Sequence, residues 1–275
     1  MGYKRILTVQ DISCVGQCSM TVALPVLSAC GHEVCILPSA MLSSHTGGFK
    51  EPAITDLTDR MAAIREHWLR ENISFDMIYT GYLGSVQAVR EVELILDALL
   101  AHGGAVIIDP AMADHGKLYK GFDETYAEAM KALCARADVV LPNITEAAMM
   151  AGLEFRQQYD RDYIHRLLEQ QPCEKVLLTG VGFEDGQTGF ALRADGNVMF
   201  AHHERLERSY HGTGDLFASA FVGALASGFD AFDAGKIASQ FTLKSIQNTA
   251  AEPAHWYGVK FEPTLADLID MLKKK

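Results

Sequence analysis

The segment Tyr210-His211-Gly212-Thr213-Gly214-Asp215-Leu216-Phe217 runs two glycines and a threonine straight into an apolar stretch, Ala218-Ser219-Ala220-Phe221. Glycine lets the backbone turn successive N–H groups outward. The N-terminus of a following helix adds unsatisfied donors and partial positive charge. Together these make an anion hole, suited to the polyanionic phosphoryl group in transfer. Asp215, in the first helical turn, is placed either to take the proton of an attacking alcohol or simply to complement the helix dipole. The segment is not a Walker A loop, because no G-x-x-x-x-G-K-[ST] occurs in the chain. It also lies too late, after a hairpin, to be a dinucleotide fingerprint.

Two further clusters follow strand-like segments. Asp109-Pro110-Ala111-Met112-Ala113-Asp114 offers two carboxylates that suit waters held on Mg²⁺, an ion that prefers oxygen and keeps much of its hydration. Leu141-Pro142-Asn143-Ile144-Thr145-Glu146 reads either as a helix start with a capping box or as a further acid, Glu146, in the same water network.

The elements that position these groups alternate. Arg5–Gln10, Glu33–Pro38, Met77–Thr80, Ala105–Ile108, Val139–Leu141 and Lys175–Leu178 read as buried strands, separated by helical stripes such as Leu57, Met61, Ile64 and Trp68. The pattern predicts one α/β domain over the whole chain: a mainly parallel sheet with helices on both faces. Thr188–Arg193 and Val198–His202 flank Asp195-Gly196, a hairpin that breaks the rhythm. Gly103-Gly104 reads as a helix C-cap, and Ser39 to Pro52 as a loop or lid. Ligands of such sheets bind beyond the carboxyl ends of the strands. That rule selects Asp11–Ser19, Ser43–Gly48, Gly81–Ser85, Asp109–Asp114, Asn143–Glu146 and Thr179–Gly182.

The chain has 275 residues, 49% hydrophobic and 21% charged, with a formal net charge of −11. That charge argues against nucleic acid or an anionic membrane as partner. No signal-peptide core or membrane-spanning run is evident, which points to a cytoplasmic protein. The cysteines, Cys14, Cys18, Cys30, Cys35, Cys134 and Cys173, form no CxxC pair and read as free thiols; Cys14 and Cys18, which could share a helical face and bind metal, read rather as small buried residues.

In order, DPAMAD, PNITEA and HGTGDLFAS resemble the D-P-V-M-G-D, P-N-x-x-E and G-T-G-D segments of the ribokinase-like superfamily, in its branch of pyridoxal and hydroxymethylpyrimidine kinases. Ser43-Ser44-His45-Thr46-Gly47 and Thr80-Gly81-Tyr82-Leu83-Gly84-Ser85 are similar to two pyridoxal-kinase segments. The resemblance spans nearly the whole chain. It implies the ribokinase-like three-layer fold and transfer of the ATP γ-phosphate to the 5′-hydroxymethyl group of pyridoxal or a related B6 vitamer. Hydroxymethylpyrimidine is the alternative acceptor, and a non-enzymatic B6- or nucleotide-binding protein the alternative class. By resemblance Asp215 is the base and Gly212, Thr213 and Gly214 the anion hole. Asp109, Asn143, Glu146 and Thr179 lie around ATP, and Asp109, Asp114 and Glu146 hold Mg²⁺ through water. Asp11, Ser13, His45, Thr46 and Tyr82 line the acceptor pocket, His45 either touching the acceptor or bracing its loop. The resemblance further implies a homodimer and leaves a monovalent-cation requirement open. Two residues depart from the pattern: Ala113 stands where the family usually has Gly, and Asp11 where pyridoxal kinases carry Ser.

Overall fold

The computed structural model describes residues 2–206, 210–252 and 254–274. In chain order the elements are β1 (Arg5–Ser13), α1 (Met20–Ala29), β2 (Glu33–Leu42), β3 (Ile54–Asp56), α2 (Thr58–Arg70), β4 (Phe75–Thr80), α3 (Val86–Leu99) and β5 (Leu100–Ile108). Then come β6 (Ala113–Asp114), β7 (Lys117–Leu118), α4 (Glu124–Cys134), β8 (Val139–Val140), α5 (Ile144–Ala151), α6 (Arg161–Glu169) and β9 (Lys175–Thr179). The chain closes with β10 (Gln187–Ala194), β11 (Asn197–Glu204), α7 (Thr213–Ala226), α8 (Ala231–Ala250), a 3₁₀ turn Glu262–Thr264, and α9 (Leu265–Leu272).

Nine strands form one sheet in the order β11-β10-β9-β8-β5-β4-β1-β2-β3. The run from β9 to β2 is parallel. The hairpin β10–β11 and the short β3 are antiparallel at the two edges. After β1 the chain adds β2 on one side and then returns to place β4 on the other. The strand order therefore reverses between β1 and β4, where open α/β sheets leave a crevice.

Side-chain alternation sorts the core into two faces. Leu7, Val9, Ile78, Val106, Ile108, Val176 and Leu178 pack with Met61, Val92, Ile95, Met130, Leu133, Ile164 and Leu167 from α2 to α6. Ile6, Met77, Tyr79, Ile107 and Leu177 pack with Val22, Val26, Phe221, Phe241 and Leu268 from α1, α7, α8 and α9. Among the described residues no helix is long and apolar enough to cross a membrane.

Several expected boundaries move. β1 runs through Asp11 to Ser13, because Ile12 and Ser13 continue the pairing with Met41 and Leu42 after a bulge. β2 accordingly takes Ser39–Leu42 out of the expected lid. Gly103-Gly104 is not a cap: α3 ends at Leu99 and Leu100 is already extended, so the glycines sit inside β5. There the register with β4 shifts between Phe75 and Met77, and Gly103 has φ 72°. Cys14 is exposed rather than buried, and all six thiols are free. The hairpin turns as expected, Asp195 and Gly196 both having positive φ, 51° and 73°.

Helix α7, which carries the candidate anion hole, is seated against α1 through Gly223. A Cβ there would lie 2.3 Å from the Cys30 Sγ. Gly223→Ala should therefore lower unfolding stability by about 1–3 kcal/mol, the usual penalty for overpacking. Denaturant unfolding checks this, and an unchanged midpoint would show that α1 and α7 can separate freely.

Candidate active site

Gly212 caps α7 in the left-handed region, φ 77°, ψ 4°. A Cβ on it would lie 1.9 Å from the Gln17 carbonyl oxygen, so only glycine fits. Leu216 N–H closes the first turn on the Gly212 carbonyl at 2.9 Å, and the Thr213 hydroxyl donates to the Tyr210 carbonyl at 3.2 Å. The first-turn N–H groups of Thr213 and Gly214 have no acceptor within the helix and are left to a ligand. At Gly214 an added Cβ would meet nothing within 4 Å, so the space over this turn is open.

That space is part of a cleft of about 460 Å³. Asp109, Asp114, Asn143, Glu146, Thr179, Gly212, Thr213, Gly214 and Asp215 all line it. Segments more than a hundred residues apart meet because their strands are neighbours. Asn143 bridges to Thr179 across the ends of β8 and β9.

The acids differ in their surroundings. Glu146 completes a full capping box with Asn143 on α5. Its Oε2 accepts from Asn143 N–H at 2.9 Å, and its Oε1 from Met112 N–H at 2.9 Å and Ala113 N–H at 3.4 Å. Burial pushes Glu146 up to about 7 against those donors, with Asp114 adding to the rise. Desolvation also holds Asp109 well above the ordinary carboxylate range, with Glu146 and Asp215 raising it further. Asp114 is exposed at the rim beside His115, at 3.5 Å. Ala113 is buried in β6 without positive φ, and its carbonyl accepts from the Asn143 amide at 2.8 Å. The departure from Gly is therefore accommodated, and the unusual backbone falls at Ala111, φ 39°, instead.

Burial pushes Asp215 up to about 7; a backbone N–H from Ser19 pulls the other way and the charge of Asp11 adds to the rise. Asp11, 4% exposed, is itself raised by burial, partly offset by the hydroxyls of Ser19 and Ser13. The Ser13 hydroxyl donates to Asp11 Oδ2 at 3.1 Å. Ser19 thus serves both carboxylates, and does so from a backbone with φ 51°. Such a conformation persists only where surrounding structure enforces it.

The remaining expected residues, Asp11, Ser13, His45, Thr46 and Tyr82, lie outside the lining of the cleft. Tyr82 is half-buried and stacks on Phe122, ring centroids 5.3 Å apart. The charge of Asp11 reaches its phenol. His45 is buried, and both ring nitrogens are engaged. Gly47 N–H donates to Nδ1 at 3.1 Å, which leaves the proton on Nε2 to donate to the Tyr257 carbonyl at 2.5 Å. His45 is therefore bracing its loop. Thr46 beside it is exposed.

The fold and the cleft can be set beside known proteins. The family model described as phosphomethylpyrimidine kinase matches residues 28–259. A pyridoxal kinase from Lactobacillus plantarum superposes with a TM-score of 0.90 at 32% identity, over 98% of each chain. A Bacteroides thetaiotaomicron structure assigned to the phosphomethylpyrimidine kinases and solved with pyridoxal gives 0.90 at 32%, over 97% of this chain and 96% of that one. The hydroxymethylpyrimidine/phosphomethylpyrimidine kinase of Bacillus subtilis is 27% identical over 182 residues, 65% of this chain and 66% of that one. The chain belongs to the phosphomethylpyrimidine kinase family. Its fold is that of the ribokinase-like vitamin kinases, and the activity this supports is phosphotransfer.

In this kinase the cleft has walls that the motifs do not announce. Thr188 and Gly189 of the hairpin, Phe217 of α7, and Ser239, Thr242 and Ile246 of α8 close its far end. The Thr242 hydroxyl there is buried without a partner. The 239, 242, 246 spacing marks one helical face, a legible signal that a hairpin breaking the βα rhythm makes specific. Tyr119 lines the acid end, its phenol raised by burial and by the charges of Glu146 and Asp109.

A carboxyl raised on folding holds its proton more tightly in the folded chain than in the unfolded one. The ligand-free protein must then lose stability as pH rises from the ordinary carboxylate range through about 7. Asp215→Asn removes its share of that loss. The ligand-free variant should melt higher than wild type near about pH 8 and alike near about pH 3. Identical melting at both values would show that Asp215 is not held in the charge-hostile setting described.

Proposed function

We propose that the protein transfers the γ-phosphate of ATP to the 5′-hydroxymethyl group of pyridoxal or a related B6 vitamer. The observation that carries this is the placement of Asp215 beside Gly212–Gly214 at the head of α7, in one cleft with Asp109, Asp114, Asn143 and Glu146. A planar pyridine suits an aromatic wall, Tyr82 backed by Phe122, and a carboxylate, Asp11, facing its protonated nitrogen. The 32% identical Lactobacillus pyridoxal kinase and the Bacteroides structure with pyridoxal support the choice.

Asp215, raised to about 7, is partly ionised at neutral pH and basic enough in that form to accept the alcohol proton. The alcohol oxygen then forms its bond to the γ-phosphorus as the bond to the bridging β–γ oxygen breaks. ADP leaves with those electrons, and the proton resides on Asp215. The N–H groups of Thr213 and Gly214 face the oxygens on which charge gathers. The nucleoside lies toward Thr188, Gly189 and the Ser239–Thr242 face of α8.

Among the described residues no group of three or more His, Cys, Asp or Glu side chains could hold a metal by itself. Oxygen donors alone meet at the acid end, and both Glu146 oxygens are taken by backbone N–H groups. That set fits Mg²⁺, which binds through few carboxylates, water and phosphates. Asp109 would hold it most directly, with Asp114 and Glu146 acting through water. When bound it supplies neutralisation of the nucleotide charge.

A second reading, hydroxymethylpyrimidine as acceptor, is favoured by Asp11 itself and by the relative from Bacillus subtilis. A panel of pyridoxal, pyridoxine, pyridoxamine and hydroxymethylpyrimidine with Mg-ATP separates the two. We expect steady ADP formation with a B6 vitamer; turnover of hydroxymethylpyrimidine alone would overturn the assignment. In the same assay Asp11→Ser should keep pyridoxal affinity. Asp11→Leu should weaken it by about tenfold or more, since a buried ring nitrogen left unpaired costs roughly 1–3 kcal/mol.

A further inference from the structure

The loop that begins at Ser43 is fastened to two distant parts of the chain, and His45 is where the fastenings meet. Its Nε2 holds the Tyr257 carbonyl and its Nδ1 holds Gly47 N–H of its own loop. Its ring packs edge-on against Phe49, centroids 5.0 Å apart, and at a tilt of 45° against His211 at 5.2 Å. Phe49 in turn meets Trp256 at 4.9 Å and Tyr257 at 6.3 Å. His211 is the residue immediately before Gly212, the cap of the anion hole.

Glycines are required where these rings press on backbone. A Cβ at Gly16 would lie 2.1 Å from the His45 ring, and one at Gly47 2.4 Å from the His211 ring. A Cβ at Gly48 would lie 2.9 Å from Trp256. Three segments, 43–50, 210–212 and 254–258, therefore interlock with no room for an intervening side chain. The contact is intimate, yet the cleft does not need it to be walled, since neither His45 nor Trp256 lines that cleft.

We infer that His45 is a positioning residue that couples the acceptor loop to the anion hole. The tautomer set by Gly47 aims Nε2–H at Tyr257, and the His45–His211 packing ties the placement of Thr46 to that of Gly212. Acceptor and phosphate sites are then ordered together. The side chain acts through its neighbours, because both nitrogens are already bonded. This rests on the phosphotransfer reading above only for its kinetic consequence; the interlock itself is testable without substrate.

His45→Phe keeps a ring and removes both hydrogen bonds. In the substrate-free protein, amide hydrogen exchange should quicken about tenfold or more in 43–50, 210–216 and 254–258 together, and stay unchanged in β9. Quickening confined to 43–50 would overturn the coupling. With pyridoxal and Mg-ATP, kcat should fall about tenfold or more while the affinity for a non-hydrolysable ATP analogue alone is kept. A loop residue of purely local effect would instead raise the pyridoxal KM and leave kcat intact, and that result too would overturn it. His45→Gln, still able to donate to Tyr257, should recover part of the loss. Should His45→Phe fail to fold, Gly47→Ala presses on His211 with the His45 bonds left in place. It should quicken exchange in 210–216, and unchanged exchange there would contradict the proposal. Wild type that turns over no acceptor would reject the functional reading, and the exchange pattern would still decide the interlock.

Discussion

Four carboxylates, Asp11, Asp109, Glu146 and Asp215, are drawn out of water at one end of a sheet, in a chain already carrying a net charge of −11. Desolvation is the largest influence on every one of them, and a neighbouring carboxylate adds to it for Asp109, Glu146 and Asp215. What makes the arrangement tolerable is a set of backbone donors. Glu146 is satisfied by three N–H groups, and Asp215 by the helix start and Ser19. The remaining imbalance is useful. A base with a value near neutrality needs a setting that resists its charge, and stability given up here is recovered elsewhere in the core.

The topology explains why these groups meet. β1, β4, β5, β8 and β9 are neighbours in the sheet although their sequence positions are far apart, so the segments that follow them share one rim. Asp11 and Tyr82, proposed for the acceptor, flank the place where strand order reverses. Asp109, Asn143 and Thr179, proposed for the nucleotide, follow β5, β8 and β9 and share the cleft with residues of α7 and α8. The two halves of the site are thus two halves of a sheet, and α7 lies across their junction. The hairpin β10–β11, where the chain departs from strand–helix alternation, adds Thr188, Gly189 and His203 to the wall of the cleft.

Much of this was legible from residues alone, for physical reasons. Buried parallel strands are short apolar runs, and ligands bind beyond their carboxyl ends, so position alone selects Asp109, Asn143 and Thr179, which line the cleft, while the Gly212–Asp215 turn is legible from its glycines and the apolar helix that follows. The hairpin was legible because Asp-Gly turns have a demanding backbone. Other features were not. Gly103-Gly104 has the composition of a cap, and only strand pairing shows that the glycines lie inside β5. Ser39–Leu42 looks polar and loop-like, yet register with β1 extends the strand through it. Ser19 has an ordinary type, and its backbone alone distinguishes it. His45 left two roles open because a histidine's partners decide its task, and the deciding partner, Tyr257, lies at the other end of the chain.

The proposed reaction depends on Asp215 as the base and the Gly212–Gly214 backbone as the anion hole. Asp215→Asn preserves side-chain size and leaves that backbone intact while removing the capacity to accept a proton. Its kcat with Mg-ATP and the preferred vitamer is the most direct measurement. With Asp215 as the base, it should fall about 10²–10⁴-fold with nucleotide and acceptor affinity nearly unchanged. A folded variant that binds both and turns over at more than about a tenth of the wild-type rate would contradict it, and would leave Asp215 as a residue that only complements its helix.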